Sequence, residues 1–407
     1  MLSSLRRTYN EFPRPFWMLV ATAFIDLTGG FLIMPFFSLF LTQKFNISLV
    51  QVAGIFAIWS VAGMIGQTVG GAYSDRFGRR SMILIGLVFS AISSLGLAMI
   101  NDLRMVIIVA GAAGFFSSSG GPARMAMVAD LLPKAQYSDG YGILRVVANV
   151  AFAIGPAIGG LLADVSYVLL FSMDAVTSIL AALFVVRFLP ESIPESSAKI
   201  NRSQSFGHVL RGYFTVLKDT RLLIVLALGT LVSMAYYQWY FALPVFMRDV
   251  HGLPPYFYGW MMSMAGVIVV FTQLPITRRL KRFAAMPVMA VGAFIFAIGF
   301  TLYGFISAFI LFLLAAAIVT LGEMIYFPNQ QAIIAQLAVE EYRARYMAVT
   351  TFAFTLPNII GPAIGGYIME NNAPHVLWLV AGGVLALSGM AFLLLSPRFK
   401  GILVGGE

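Results

Sequence analysis

Cysteine is absent from the 407 residues, and histidine occurs only three times. The first absence excludes a disulfide framework, a thiolate nucleophile and any Cys-based metal site. The second leaves His208, His251 and His375, far apart in the chain and each in a polar connection, so no zinc-binding spacing exists. Charge is also scarce. Asp, Glu, Lys and Arg make up 11% of the chain, against about 25% in an ordinary soluble domain. A soluble fold with so few charges could not cover its surface. A cytosolic enzyme, a nucleic-acid-binding domain and a disordered chain are thereby excluded.

What the sequence has instead is apolar length. Hydrophobic residues make up 60% and the mean hydropathy is +0.88. Apolar stretches recur at about 16–40, 51–73, 82–100, 104–131, 139–163, 167–188, 222–247, 256–277, 285–303, 306–334, 345–369 and 374–396. Each matches the roughly 20 residues that a spanning helix needs. In lipid the backbone must satisfy its own hydrogen bonds, so these are helices. The alternating segments of about 10 residues that mark an outer-membrane barrel are missing. The fold class is therefore all-α integral membrane, with twelve transmembrane helices.

Twelve spans place both termini on one side. Of the 26 basic residues, Lys44, Arg104 and Arg248 fall on the opposite side and Arg124 and Arg145 fall inside spans; the other 21 share the side of the termini. By the positive-inside rule both termini are expected in the cytoplasm. The net charge of +9 is then a topology signal and not a footprint for nucleic acid. The run from Phe16 is too long for the core of a signal peptide and reads as a retained first helix. The polar stretch 190–221 reads as a cytoplasmic linker between bundles 1–189 and 222–407, with a surface-lying helix expected over Phe206–Leu217.

The two halves carry one word. Gly155-Pro156-Ala157-Ile158-Gly159-Gly160 in the fifth span recurs as Gly361-Pro362-Ala363-Ile364-Gly365-Gly366 in the eleventh, an offset of 206, and Pro122 and Pro328 stand at the same offset. Two parallel six-helix repeats, with substrate bound between them, are one of the large transporter architectures.

The connection between the second and third spans reads Gly71-Ala72-Tyr73-Ser74-Asp75-Arg76-Phe77-Gly78-Arg79-Arg80. It resembles the signature loop of the major facilitator superfamily, G-x-x-x-D-R-x-G-R-R/K. The resemblance extends to helix number, topology and half-repeat, and implies two pseudo-symmetric six-helix bundles. It also implies that Gly71, Asp75, Arg76, Gly78, Arg79 and Arg80 act as an inner latch, with Asp130 at the end of the fourth span as acidic partner. Arg124 and Arg145, both in the cytoplasmic third of their spans, can each line the cavity, tune a carboxyl or hold an anion; Arg124 can instead pair structurally with Asp130, six residues on, and is placed with the latch. The matching loop Gln273–Phe283 keeps its basic residues but has no Asp, so the second latch is degenerate. The word Gly155, Pro156, Gly159, Gly160 resembles the motif of the family's drug–proton antiporters. Read physically, Pro156 can kink the helix and the glycines offer a face for close packing.

Charges inside spans are expensive and functional by default. Asp26 stands about ten residues into the first span, roughly 15 Å deep, and Glu323 lies deep in the tenth. Both resemble acidic sites of proton-coupled multidrug exporters, and with Arg145 they form the expected proton-coupling set. The exporters' usual Arg, four residues before Gly114, is here Ala110; Arg145 is the candidate replacement. Asp174 reads as a structural cap or hydrogen-bond partner near the outer end of the sixth span. Asn149, Tyr236, Gln238, Trp239, Tyr326 and Asn358 are candidates for the substrate cavity, where aromatic walls suit lipophilic or cationic compounds.

These readings together imply a monomeric, multi-pass secondary transporter of a bacterial-type inner membrane. It would exchange protons for a small, drug-like molecule, with lipid around it and no cofactor. Proton-coupled uptake, facilitated transport, and lipid, lysolipid or sugar export fit the same fold. The peptide importers' E-x-x-E-R is absent from the first span. No phosphate-binding loop implies an ATP step. No nucleophile or acid–base set implies an enzyme.

Overall fold

The computed structural model describes residues 9–192, 216–280, 282–338, 343–399 and 401. These residues are almost wholly helical. The first span is α1 (Arg14–Ile33), a 3-10 turn over Met34–Phe36, and α2 (Phe37–Phe45). Pro35 lies in that turn, where the missing N–H breaks the helical ladder. Then follow α3 (Leu49–Phe77), α4 (Arg79–Met99), α5 (Leu103–Leu131), α6 (Tyr137–Val165) and α7 (Tyr167–Phe188). The second half comprises α8 (Thr220–Phe241), α9 (Leu243–His251), α10 (Pro255–Leu280), α11 (Ala285–Tyr303), α12 (Phe309–Leu337), α13 (Arg343–Asn371) and α14 (Val376–Leu395).

Among the described residues, eleven helical spans are long and apolar enough to cross a membrane. The remaining long helix, α13, occupies the expected eleventh span. The observed ends fall within a few residues of the apolar runs, because polar caps mark them. Asp102 opens α5, accepting from the Arg104 N–H at 2.9 Å. Ser166 accepts from Val168 N–H at 3.2 Å to open α7. Asp219 accepts from Arg221 and Leu222 at 3.0 and 3.2 Å to open α8. The expected surface helix Phe206–Leu217 lies, except for its last two residues, outside the described residues.

The chain forms two compact units. One comprises Met1–Phe40 and Ile55–Arg202, the other Leu41–Gly54 and Ser203–Glu407. In the first unit, α1, α4, α5 and α7 enclose a core of Phe16, Leu19, Met82, Ile83, Ala123, Met127, Ala181 and Val185. The second unit is more aromatic. Phe296, Phe300 and Tyr303 of α11 interlock with Phe312 and Tyr326 of α12 and with Trp378 of α14.

The repeated glycine word does the same work in both units. On α6, a Cβ at Gly155 would lie 3.2 Å from the Thr28 carbonyl oxygen, and one at Gly159 would overlap the Leu32 carbonyl. On α13, a Cβ at Gly361 would lie 3.2 Å from the Met234 carbonyl oxygen, and one at Gly365 would overlap the Gln238 side chain. Thr28 and Met234, and Leu32 and Gln238, are themselves separated by 206 positions. Residues 155–160 and 361–366 also share one order of buried and exposed positions. The word is thus a paired helix contact, α6 on α1 and α13 on α8, in which only glycine lets the backbones meet.

Substitution separates this contact from ordinary helical glycines. Gly142 has nothing within 4 Å of its missing Cβ. Gly142→Ala should raise the unfolding temperature in detergent, since helical Gly costs roughly 0.5–1 kcal/mol against Ala. Gly159→Ala should lower it, by overpacking of about 1–3 kcal/mol. The same sign for both would disprove the contact.

Candidate functional site

Three groups of polar residues lie inside or at the ends of the helices. The first is in the first unit, where α1, α3, α4, α5 and α7 enclose a cavity of about 340 Å³. Its walls are mainly apolar, with Phe31, Met34, Phe37 and Trp59 among them. Two carboxylates face it, Asp26 and Asp174, with Ser90, Ser93, Ser94 and Ser117. Asp26 on α1 is held by Arg124 of α5, whose Nη2 donates to Oδ2 at 2.5 Å. This replaces the expected pairing of Arg124 with Asp130. Six residues along a helix put Arg124 and Asp130 on different faces, and α1 supplies an acid on the face Arg124 presents.

Asp174 is only 4% exposed. Its Oδ2 accepts from the Ser94 hydroxyl at 2.5 Å. One turn further along α7, Ser178 donates to Ser90 at 3.3 Å. Asp174 reaches α1 because Gly29 has no side chain: a Cβ there would lie 2.6 Å from Oδ1. Gly29 follows Asp26 by three residues, so both acids come to one face of α1. Asp174 is therefore a cavity group of α7, and not only a cap at its end.

The second group is in the second unit. Glu323 of α12 is hydrogen-bonded by the Tyr236 hydroxyl of α8, and Tyr236 shares a hydrogen bond with Tyr240 at 2.9 Å. No ion pair of Glu323 is found among the described residues. Tyr236 packs on Phe296 and Phe327. Trp239 and Tyr326, expected at the cavity wall, are fully enclosed. Trp239 donates through Nε1 to Tyr303 at 3.0 Å and its carbonyl accepts from Tyr258 at 2.8 Å, so its ring is part of the aromatic core. Gln238 is spent on helix packing, with Nε2 donating to the Gly361 carbonyl at 2.7 Å. Asn149 and Asn358 are half-buried. Arg145 is exposed and makes no ion pair among the described residues; Arg124 is the base that meets Asp26.

The third group is the turn between α3 and α4. Gly78 adopts φ 108°, a conformation open to glycine and strained for other residues. Arg79 pairs with Asp75, with Asp130 at 3.3 Å, and donates to Ser74 at 2.7 Å. Asp75 is 59% exposed, so that pair is worth little. The pair with Asp130 is more enclosed, and Ser192 also donates to Asp130 at 3.0 Å. Arg80 donates to the Val186 carbonyl at 2.5 Å.

Glu191 was hidden in what reads as the start of the linker. Its carboxylate accepts from the backbone N–H of Arg79 at 2.8 Å and of Arg80 at 3.2 Å. It caps the N-terminus of α4, where unpaired N–H groups and the helix dipole favour an anion. The signal available in the sequence was an acid directly after a span, on the side of the arginine-rich turn.

The chain belongs to the major facilitator superfamily: the family's profile matches residues 19–283 and 251–403. It is a membrane transporter and not an enzyme. It is 26% identical over 392 residues to the uncharacterized MFS-type transporter YttB of Bacillus subtilis, covering 95% of this chain and 96% of the relative. It is 24% identical over 403 residues to a Na(+), Li(+), K(+)/H(+) antiporter of Planococcus maritimus, covering 90% and 92%. It is 24% identical over 400 residues to multidrug resistance protein 2 of Bacillus subtilis, covering 94% and 95%. Among solved structures, the nucleoside transporter NupG superposes with a TM-score of 0.77 at 15% identity, over 95% of this chain and 100% of that one. At that identity the likeness extends to the fold alone.

The cap gives a direct test of the turn. Removing an N-terminal capping side chain costs about 1 kcal/mol. Glu191→Ala should lower the unfolding temperature measurably, whereas Asp75→Asn should change stability by less than about 0.5 kcal/mol. Equal melting of wild type and Glu191→Ala would show that the carboxylate does not hold α4.

Proposed function

We propose that this chain is a proton-coupled exporter of lipophilic or cationic drug-like compounds, set in a bacterial-type inner membrane with both termini in the cytoplasm. The halves 1–189 and 222–407 exchange access to the two sides by rocking, and the Gly71–Arg80 turn with Asp130 latches the inner side. The observation that carries this reading is Glu323. It is a carboxyl in the middle of a spanning helix, contacted by the Tyr236 hydroxyl and without a basic partner among the described residues. A carboxyl within a span, with no counter-charge beside it, is the kind of group that carries a coupled proton.

The cycle follows from the two acids. In the outward state Glu323 binds a proton and becomes neutral, and its attraction for a cationic compound falls. The neutral site returns to the inward state. There the compound competes the proton away and is carried out. Asp26 is engaged by Arg124, so it joins the cycle only when that pair opens. Arg145 and the half-buried Asn149 and Asn358 provide polarity for the same path. Tyr236 and Tyr240 supply aromatic faces and hydroxyls beside Glu323, which suits a flat cation. Two of the relatives support the reading, one named as a multidrug resistance protein and one as an antiporter with H(+).

The test is uptake of a fluorescent lipophilic cation, ethidium, into proteoliposomes under an imposed pH gradient. Wild-type protein should accumulate ethidium when the lumen is acidic and lose it when the gradient is collapsed. Glu323→Gln, which keeps size and hydrogen bonding, should reduce gradient-driven movement to the leak. Gradient-independent movement by wild-type protein would replace this reading with facilitated transport.

A further inference from the structure

The cavity of the first unit carries an unbalanced charge. Two ionisable groups line it, Asp26 of α1 and Asp174 of α7, and Arg124 of α5 pairs with Asp26. Asp26 and Arg124 neutralise one another. Asp174 has no ion pair among the described residues, and its carboxylate's hydrogen bond there comes from Ser94. The remaining walls bring no base. α4 offers the hydroxyls of Ser90, Ser93 and Ser94, and α3 offers Trp59. An isolated carboxylate so deeply buried is penalised by several kcal/mol. One positive charge is therefore missing from the cavity.

The lining also states what could supply it. The polar atoms around Asp174 are carboxylate and hydroxyl oxygens, the donors that hard, small cations prefer. Ser90, Ser93 and Ser94 share one face of α4 by their spacing. The cavity of about 340 Å³ leaves room for an ion and several waters, each taking roughly 30 Å³. A divalent ion would overshoot the single missing charge.

We propose that this cavity is a monovalent-cation site, in which Asp174 holds one exchangeable cation, a proton or a sodium-sized alkali ion, beside the Asp26–Arg124 pair. The proposal rests on the transporter reading only in assuming that the cation exchanges during a cycle; the site itself follows from the charge balance. It assigns Asp174 a role separate from Glu323, so that the two units each carry a carboxyl able to change its occupant.

The experiment uses the purified full-length protein in detergent, with two readouts. One is equilibrium binding of radioactive sodium in alkaline buffer, with the protons released on binding counted. The other is the infrared band of a protonated carboxyl, followed between acidic and alkaline buffer. Sodium binding with one proton released, lost in Asp174→Asn, supports the site with an alkali ion as occupant. No sodium binding but a titrating carboxyl band lost in Asp174→Asn supports it with a proton as occupant. Neither signal in wild-type protein, or both unchanged in Asp174→Asn, overturns the proposal.

Two further variants keep the test sharp should Asp174→Asn fold poorly. Ser94→Ala leaves the carboxylate and removes its hydroxyl partner, and should shift sodium affinity or the infrared titration. Asp26→Asn should weaken sodium binding, because it removes the second carboxylate that faces the cavity beside Asp174. A merely structural Asp174 would not follow that pattern. Failure here is distinct from failure of the export reading. Gradient-driven ethidium transport that survives in Asp174→Asn with unchanged signals sinks only the cation site. Absence of such transport in wild-type protein, with sodium binding intact, sinks only the export reading.

Discussion

A charge inside an apolar helix bundle has to be met from within the chain, by an opposite charge or by hydrogen bonds, because no water is there to meet it. The arrangement of the first unit follows from that demand. Arg124 is carried into α5 and reaches across to Asp26 on α1. The pair fixes which face of each helix turns inward. The same face of α1 then presents Gly29, whose bareness admits Asp174 of α7. Ser94 and Ser90 of α4 complete the ring of oxygen atoms. The ion pair ties α1 to α5, and the hydrogen bonds of Ser94 and Ser90 tie α4 to α7, around one cavity; the apolar core of Phe16, Leu19 and Ile83 fills in beside it.

The second unit solves the problem differently. It has no buried ion pair among the described residues. Its polar atoms are mostly phenol, indole and amide groups seated in aromatic packing, such as Trp239 on Tyr303 and Tyr258 on the Trp239 carbonyl. The glycine contact common to both units shows how far the symmetry extends. Backbone approach is kept at Thr28 and Met234, and at Leu32 and Gln238, while the chemistry of the side chains has diverged. Where the first unit has Leu32, the second has Gln238, which uses the same approach to donate a hydrogen bond to Gly361. Duplication preserved the geometry and left the polar groups free to specialise.

The apolar runs made the fold legible, since in lipid only a helix can satisfy a backbone of that length. Even the ends were readable, because Asp102, Ser166 and Asp219 are residues that cap helices by their own chemistry. The sites were less legible for a definite reason. A run of uniform hydropathy tells where the chain crosses but not how the helix is rotated about its axis. Spacing alone therefore offers Arg124 the nearby Asp130, six residues away, whereas its partner is Asp26, ninety-eight residues away. Trp239 and Tyr326 looked like walls of a binding space because aromatic residues serve equally in walls and cores. The depth of Asp174 can be counted along its span, but its partner Ser94, 80 positions away, cannot. Glu191 escaped notice because a capping acid that comes from a distant segment leaves no local pattern beside the helix it caps.

The Gly78 turn shows how such a contact constrains descent. Two unrelated demands fall on that one residue. Its backbone sits at φ 108°, which disfavours any side chain, and the space a side chain would enter is taken by the Glu191 carboxylate. A lineage that lost glycine there would not be rescued by shortening Glu191, because the backbone strain would persist. Nor would Asn relieve it, because φ 108° with ψ 142° lies outside the left-handed helical region that Asn tolerates, and the carboxylate would still be in the way. Relieving the clash takes a change 113 positions away and leaves the backbone strain in place. A single-step path away from glycine is closed from both sides, so this position should stay invariant while the exposed charges around it drift.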